Sequence, residues 1–313
     1  GSSSVKVAIL DTGVCWEHPD IAPNYDFGLS TSFVTESDLN ESDFMPMDYN
    51  GHGTWCAGAV AAAWNEWGVI GVAPNVKIVN VKVLTADGWG YWSWLMEGIY
   101  YAAKVKVDVI SMSLGGYLDL TDPEQRVIWY AMLRVTEYAY KRGCVLVAAA
   151  GNEEIDLTFL YSIGYRFCPA MLPTVIAVSG ITDRYEFANY SNYGYGVIEL
   201  SAPAGYWYGY PAPSWWYHLA FSTWSPRDYT SPGYYFAWMC GTSAATPHVA
   251  GVAALIKSIN KKLSASQVRA ILDMTAFDLG LPGYDGYFGF GLVDAYQACL
   301  ITQELSTGLK VPI

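Results

Sequence analysis

The chain has 313 residues, 52% of them apolar and 15% charged against roughly 25% in an average soluble protein, which excludes intrinsic disorder and suits one large α/β domain or two modest ones. No apolar run approaches the ~18 residues that a membrane-crossing helix needs, so no span is predicted. The net charge of −12, from 17 Lys and Arg against 29 Asp and Glu, would repel a phosphate backbone and excludes nucleic acid as a partner.

Gly1-Ser2-Ser3-Ser4 leads straight into apolar sequence without an initiator Met, a basic segment or a leader-like core, so the chain reads as a processed or truncated product. Residues 5–10 run β-branched and aliphatic without polar relief and stop at Asp11-Thr12-Gly13, the pattern of a buried strand that ends on a carboxylate. Small residues from Gly53 onward predict a closely packed helix, ended by 65–71. A strand over 76–84 and a helix over 91–104 follow. A strand over 107–113 closes on Leu114-Gly115-Gly116. Next come a helix over 124–142 and strands over 145–150 and 174–179. Strands alternating with helices imply right-handed crossovers: an α/β fold, with a mostly parallel central sheet flanked by helices on both faces. The tract 205–239, crowded with Trp, Tyr, Pro and Gly, is expected to be an irregular insertion stacked with aromatics. Ser243 is expected to open an apolar helix with Pro247 in its first turn. The six cysteines lie far apart with no C-x-x-C pair, which argues against a zinc ribbon or a thioredoxin-type site and leaves disulfides open.

Ligands of such sheets gather at the carboxyl ends of the strands, and there the polar residues Asp11, Ser113 and Asn152 fall. A serine hydroxyl is a poor nucleophile until an imidazole takes its proton, and the imidazole must be held in one tautomer by a buried carboxylate. Asp11, His52 in Asn50-Gly51-His52-Gly53-Thr54, and Ser243 in Gly241-Thr242-Ser243-Ala244 supply the three groups. Taken singly they read as a strand-ending turn, a helix-start histidine and an N-cap. Glycine beside each, which would let substrate backbone come close, and the order Asp, His, Ser make those plainer readings improbable together.

With these motifs the sequence resembles the subtilisin-like serine proteases, and among them the proteinase K branch. The resemblance runs from Val5 to about Cys299 and includes Glu17-His18-Pro19-Asp20, Ser111-Met112-Ser113-Leu114-Gly115-Gly116, Ala148-Ala149-Ala150-Gly151-Asn152-Glu153 and Gly289-Phe290-Gly291-Leu292-Val293-Asp294-Ala295. It implies a single catalytic domain over the whole chain, with Asp11, His52 and Ser243 as the triad and Asn152 beside the Ser243 backbone N–H as the oxyanion donors. Ser113, Leu114, Gly115 and Gly116 on one side and Ala149, Ala150 and Gly151 on the other resemble the edges of the primary specificity pocket, with Glu153 at its floor or rim. Polypeptides are the implied substrates. A propeptide acting as chaperone and inhibitor, a monomeric state and secretion or cell-surface display follow from the same resemblance.

No cofactor is implied for catalysis. Asp20, Asn65 and Glu199 match calcium-ligand positions, but the short N-terminal part leaves the main site incomplete, so structural calcium stays open. Ala244 replaces the Met that commonly follows the nucleophile, removing an oxidisable thioether. Trp55 stands where most members carry a second His, and Cys56 matches a cysteine buried under the catalytic His. Two other readings are an acid-active sedolisin, which uses a Glu base, and a catalytically dead fold kept for binding; neither accounts for an intact set of Asp11, His52, Asn152 and Ser243.

Overall fold

The computed structural model describes residues 1–35 and 46–307. In chain order the strands are β1 (Lys6–Asp11), β2 (Thr31–Ser32), β3 (Lys77–Lys82), β4 (Val109–Met112), β5 (Gly116–Asp119), β6 (Val145–Ala149), β7 (Tyr165–Cys168), β8 (Val175–Ile181), β9 (Ile198–Pro203), β10 (Ala220–Thr223) and β11 (Phe236–Met239). The helices are α1 (His52–Ala61), α2 (Trp92–Lys104), α3 (Pro123–Lys141), α4 (Leu157–Ser162), α5 (Thr242–Ile259), α6 (Ala265–Thr275) and α7 (Ala295–Ser306). Seven strands form one parallel sheet in the order β2-β3-β1-β4-β6-β8-β9.

The alternation of side chains along the strands divides the core in two. Val7, Ile9, Val109, Val147 and Ile176 face a layer that contains Ala57 and Val60 of α1 and Val249 and Ala253 of α5. Ala8, Leu10, Ile110, Leu146 and Ala148 face the other, with Leu95 and Ile99 of α2 and Met132 of α3. Both faces are therefore covered, which is why these strands read as unbroken apolar runs, each fully buried Val, Leu or Ile contributing about 1.5–3 kcal/mol. The predicted three-layer α/β arrangement is present.

α5 is buried on nearly every side, and its sequence is correspondingly apolar all round. Pro247 lies in its interior and not in the first turn as the sequence suggested. Proline has no N–H to offer the carbonyl four residues back, so the Ser243 carbonyl is released from the helix ladder. Ser113 Oγ donates to it at 2.9 Å and the Cys56 thiol at 3.7 Å.

The aromatic tract departs from expectation. Part of it is an antiparallel hairpin, β10 against β11, with Phe221 opposite Trp238 and their rings 4.5 Å apart. The hairpin is held on α1: Ser222 Oγ donates to the Trp55 carbonyl at 2.9 Å, Thr223 Oγ1 to the Thr54 carbonyl at 2.7 Å, and Trp55 Nε1 to the Ala237 carbonyl at 3.0 Å. These anchors lie far away in sequence, so local composition could not reveal them. They also give buried Trp55 a reason, since its indole ties α1 to β11. All six cysteines are free.

Candidate active site

β1, β4 and β6 are neighbours and run parallel, so their carboxyl ends lie side by side. Asp11 ends β1, Ser113 follows β4, and Gly151 and Asn152 follow β6. α1 begins at His52, and the His52 Nδ1 sits 2.7 Å from Asp11 Oδ1, a carboxylate 1% exposed. A carboxylate can only accept, so Nδ1 carries the proton and Nε2 is the nitrogen left to take one. Thr12 N also donates to Asp11 Oδ1 at 2.7 Å, while Oδ2 is buried without a hydrogen-bond partner among the described residues. Burial opposes a charge on His52, but the charge and hydrogen bond of Asp11, aided by Asp48, outweigh it and raise the imidazole pKa above its ordinary 6.5.

The glycines that flank His52 serve packing and not substrate access. A Cβ on Gly51 would enter the Trp224 ring, and one on Gly53 would lie 3.0 Å from Asp11 Cβ and closer still to the Gly13 carbonyl. The aromatic tract thus reaches the site through Trp224. Asp48, which the sequence reading missed, organises the same turn. It is fully buried, and its Oδ1 accepts from Gly51 N at 2.9 Å and Thr12 Oγ1 at 2.9 Å, its Oδ2 from Thr54 N at 2.9 Å and Thr54 Oγ1 at 2.6 Å. An Asp just upstream of a helix start is a capping signal and could have marked it.

Ser243 is the second residue of α5, with Gly241 as N-cap. It is therefore not the cap the sequence suggested, though it stands in the positive end of the helix dipole. Its Oγ donates to the Ser113 carbonyl at 3.1 Å. Cys56 joins this serine to the other two groups: its Sγ reaches the Ser243 carbonyl and lies within 4.8 Å of ligand atoms of both Asp11 and His52. Burial pushes the Cys56 thiol well above its ordinary pKa, with Asp11 adding to the shift, so it is no thiolate nucleophile. The Asn152 carboxamide is oriented by Thr242, whose N and Oγ1 donate to Oδ1 at 2.7 and 3.0 Å. That leaves Nδ2 pointing no hydrogen bond at any described protein atom. The Ser243 N–H, in the first turn of α5, is likewise free of the helix ladder. A polarisable serine, a fixed imidazole and two free N–H donors can together attack a carbonyl and hold the charge that results.

Gly115 of the one expected edge and Gly151 of the other both approach the Phe167 ring. Glu153 Oε2 accepts from Asn152 N at 3.0 Å, Tyr117 Oη at 2.7 Å and Asn192 Nδ2 at 2.7 Å. Asn192 also joins the Ala150 carbonyl and the Glu153 and Ile155 amides, so it fixes the whole turn after β6. A cavity of about 470 Å³ opens along Ser113, Leu114, Gly115 and Gly116, with His52, Trp89, Tyr91, Trp92 and Leu95 among its walls.

The calcium-matching residues are otherwise engaged. Buried Asp20 accepts from Asn65 Nδ2 at 3.0 Å and Val69 N at 2.9 Å, one donor on each oxygen, and Glu199 makes a two-pronged ion pair with Arg269. A calcium site needs several oxygens turned inward, and these carboxylates already accept from protein donors.

Comparison with known proteins agrees with this geometry. Residues 2–291 match the subtilase family, peptidase S8. Subtilisin DY of Bacillus licheniformis is 39% identical over 296 residues, covering 95% of this chain and 91% of that one. Thermitase of Thermoactinomyces vulgaris is 37% identical over 297 residues, covering 95% and 88%. Among solved structures, a lanthipeptide protease superposes with a TM-score of 0.82 at 30% identity, covering 96% of this chain and 88% of that one. The epidermin leader-peptide-processing serine protease of Staphylococcus aureus superposes with a TM-score of 0.81 at 26% identity, covering 95% and 75%. The chain belongs to the subtilase family and is a subtilisin-like serine endopeptidase.

Proposed function

We propose that the enzyme hydrolyses peptide bonds through an acyl-enzyme, with Ser243 as nucleophile, His52 as general base and then acid, Asp11 orienting His52, and Asn152 Nδ2 with the Ser243 N–H holding the oxyanion. The observation that carries this reading is the 2.7 Å contact between His52 Nδ1 and buried Asp11 at the end of β1, next to β4, after which Ser113 bonds Ser243 twice. In the first step Ser243 Oγ exchanges its Ser113 acceptor for His52 Nε2, gives up its proton and bonds to the substrate carbonyl carbon. The negative charge that develops on the carbonyl oxygen meets donors already in place. Collapse breaks the C–N bond, His52 passes its proton to the departing amine, and a water molecule activated by His52 releases the acyl group. Neutral His52 is required, so activity falls as pH drops through its raised pKa; an acid-active carboxylate base is not favoured.

On this reading every proton and charge of the reaction is handled by this chain's own groups, and no metal takes part. Because Asp20, Asn65 and Glu199 are committed to protein partners, stability should not depend on calcium either. Scanning calorimetry with and without EDTA is expected to give the same Tm, whereas a tightly bound ion would add roughly 3–4 kcal/mol and lower Tm by several degrees on removal. The family resemblance adds, as parts of the same proposal, a propeptide that aids folding and inhibits, action as a monomer and a place outside the cell. The nucleophile is tested by a fluorophosphonate probe followed by peptide mapping: the label is expected on Ser243 alone, and a labelled residue elsewhere would overturn the assignment.

A further inference from the structure

The space between the two substrate edges is not open. Phe167, in β7, is 4% exposed, and its ring lies between Gly115 on one edge and Gly151 on the other. A Cβ on Gly115 would meet Phe167 Cε1 and Cζ at 2.7 Å, and one on Gly151 would meet Cζ at 3.0 Å. The ring is held there by the ladder between β5 and β7, in which Tyr117 pairs directly with Phe167. The two rings pack edge to face with centroids 4.9 Å apart, and Tyr117 Oη is itself tied to Glu153. Glu153, with three donors on one oxygen, helps to hold this wall.

We infer that Phe167 is a specificity-determining residue that restricts the substrate residue donating the scissile carbonyl to glycine, alanine or serine. The inference rests on the acyl-enzyme reading above, which places that residue between the two edges. A side chain larger than a methyl or hydroxymethyl group would need the volume the Phe167 ring occupies, and in a close-packed wall that ring cannot yield without displacing Tyr117. Larger apolar side chains of the substrate are directed instead to the cavity of about 470 Å³ beside Ser113, Leu114, Gly115 and Gly116, whose walls do not include Phe167.

The test compares kcat/KM on peptides identical except for Ala or Phe before the scissile bond. The unaltered enzyme is expected to favour Ala by about 100-fold, the scale on which a pocket rejects a side chain it cannot hold. Phe167→Gly, and Phe167→Ala as the milder variant, are expected to raise the rate on the Phe peptide by at least tenfold and to shrink or reverse the ratio. Equal or faster cleavage after Phe by the unaltered enzyme would overturn the inference, as would folded variants whose ratio is unmoved. Fluorophosphonate labelling of Ser243 in the same preparations separates the two claims, because the probe needs no side chain in this pocket. Label on Ser243 with a broad profile sinks only the role of Phe167, while no label on Ser243 sinks the reading beneath it.

Discussion

Ser243→Ala is expected to lower kcat by about 10⁶-fold while leaving the fold intact. That magnitude is the one established for the triad of subtilisin itself, a relative of this chain, and it reflects groups that act as a unit: without the nucleophile neither imidazole nor carboxylate has anything to do. The fold should tolerate the change because, among the described residues, Ser243 Oγ makes a single hydrogen bond, to the Ser113 carbonyl, while its own carbonyl keeps the bond from Ser113 Oγ. Circular dichroism and thermal melting should therefore match the unaltered enzyme. A residual rate about 10³–10⁴-fold above uncatalysed hydrolysis is expected to survive, since the oxyanion donors and the binding edges remain. Full or near-full activity would require another nucleophile. The nearest thiol, Cys56, does not qualify, because burial holds it protonated.

Asn152→Ala should lower kcat by about 10²–10³-fold, or roughly 2.7–4 kcal/mol of transition-state stabilisation, with little change in KM. The range comes from the equivalent residue of subtilisin. Its expected form, a loss in kcat, follows from the proposed role: Thr242 holds the carboxamide by its oxygen, which leaves Nδ2 to donate to a charge that would exist only once Ser243 has attacked. Asn152 is exposed and the Ser243 N–H stays in place, so neither collapse of the fold nor complete inactivity is expected. Steady-state kinetics on one peptide decide the point. A rise in KM with kcat preserved would mean that Asn152 only binds substrate, and its assignment to the oxyanion would fail.

What could be read from the sequence was whatever is encoded locally. Strands buried on both faces announce themselves as runs such as those of β1 and β6, and a polar residue at the end of such a run has few structural reasons to be there, so Asp11 and Asn152 stood out. His52 and Ser243 were legible through their neighbours. What distant segments do to one another was not legible. Gly51 and Gly53 looked like room for substrate and proved to be room for Trp224 and for the Asp11 turn. Pro247 looked like a first-turn residue because that is where proline is cheapest; in the helix interior its cost is offset by Ser113 and Cys56, which take up the carbonyl it releases. The β10–β11 hairpin was hidden because its anchor, Trp55, lies in a helix more than a hundred residues away. Phe167 carried no sequence signal at all, since its meaning comes only from the two glycines its ring lies between.

The central claim is that Asp11 and His52 activate Ser243, and the measurement that bears on it most directly is the rate of fluorophosphonate labelling against pH, for the unaltered enzyme and for His52→Ala. Asp11 raises the imidazole pKa above 6.5, so labelling of Ser243 should be suppressed at pH 5, rise through a single ionisation above pH 6.5 and reach a plateau. In His52→Ala it should be slower by several powers of ten at every pH. Ser243 labelled equally fast without His52, or labelled fastest near pH 4, would contradict the account.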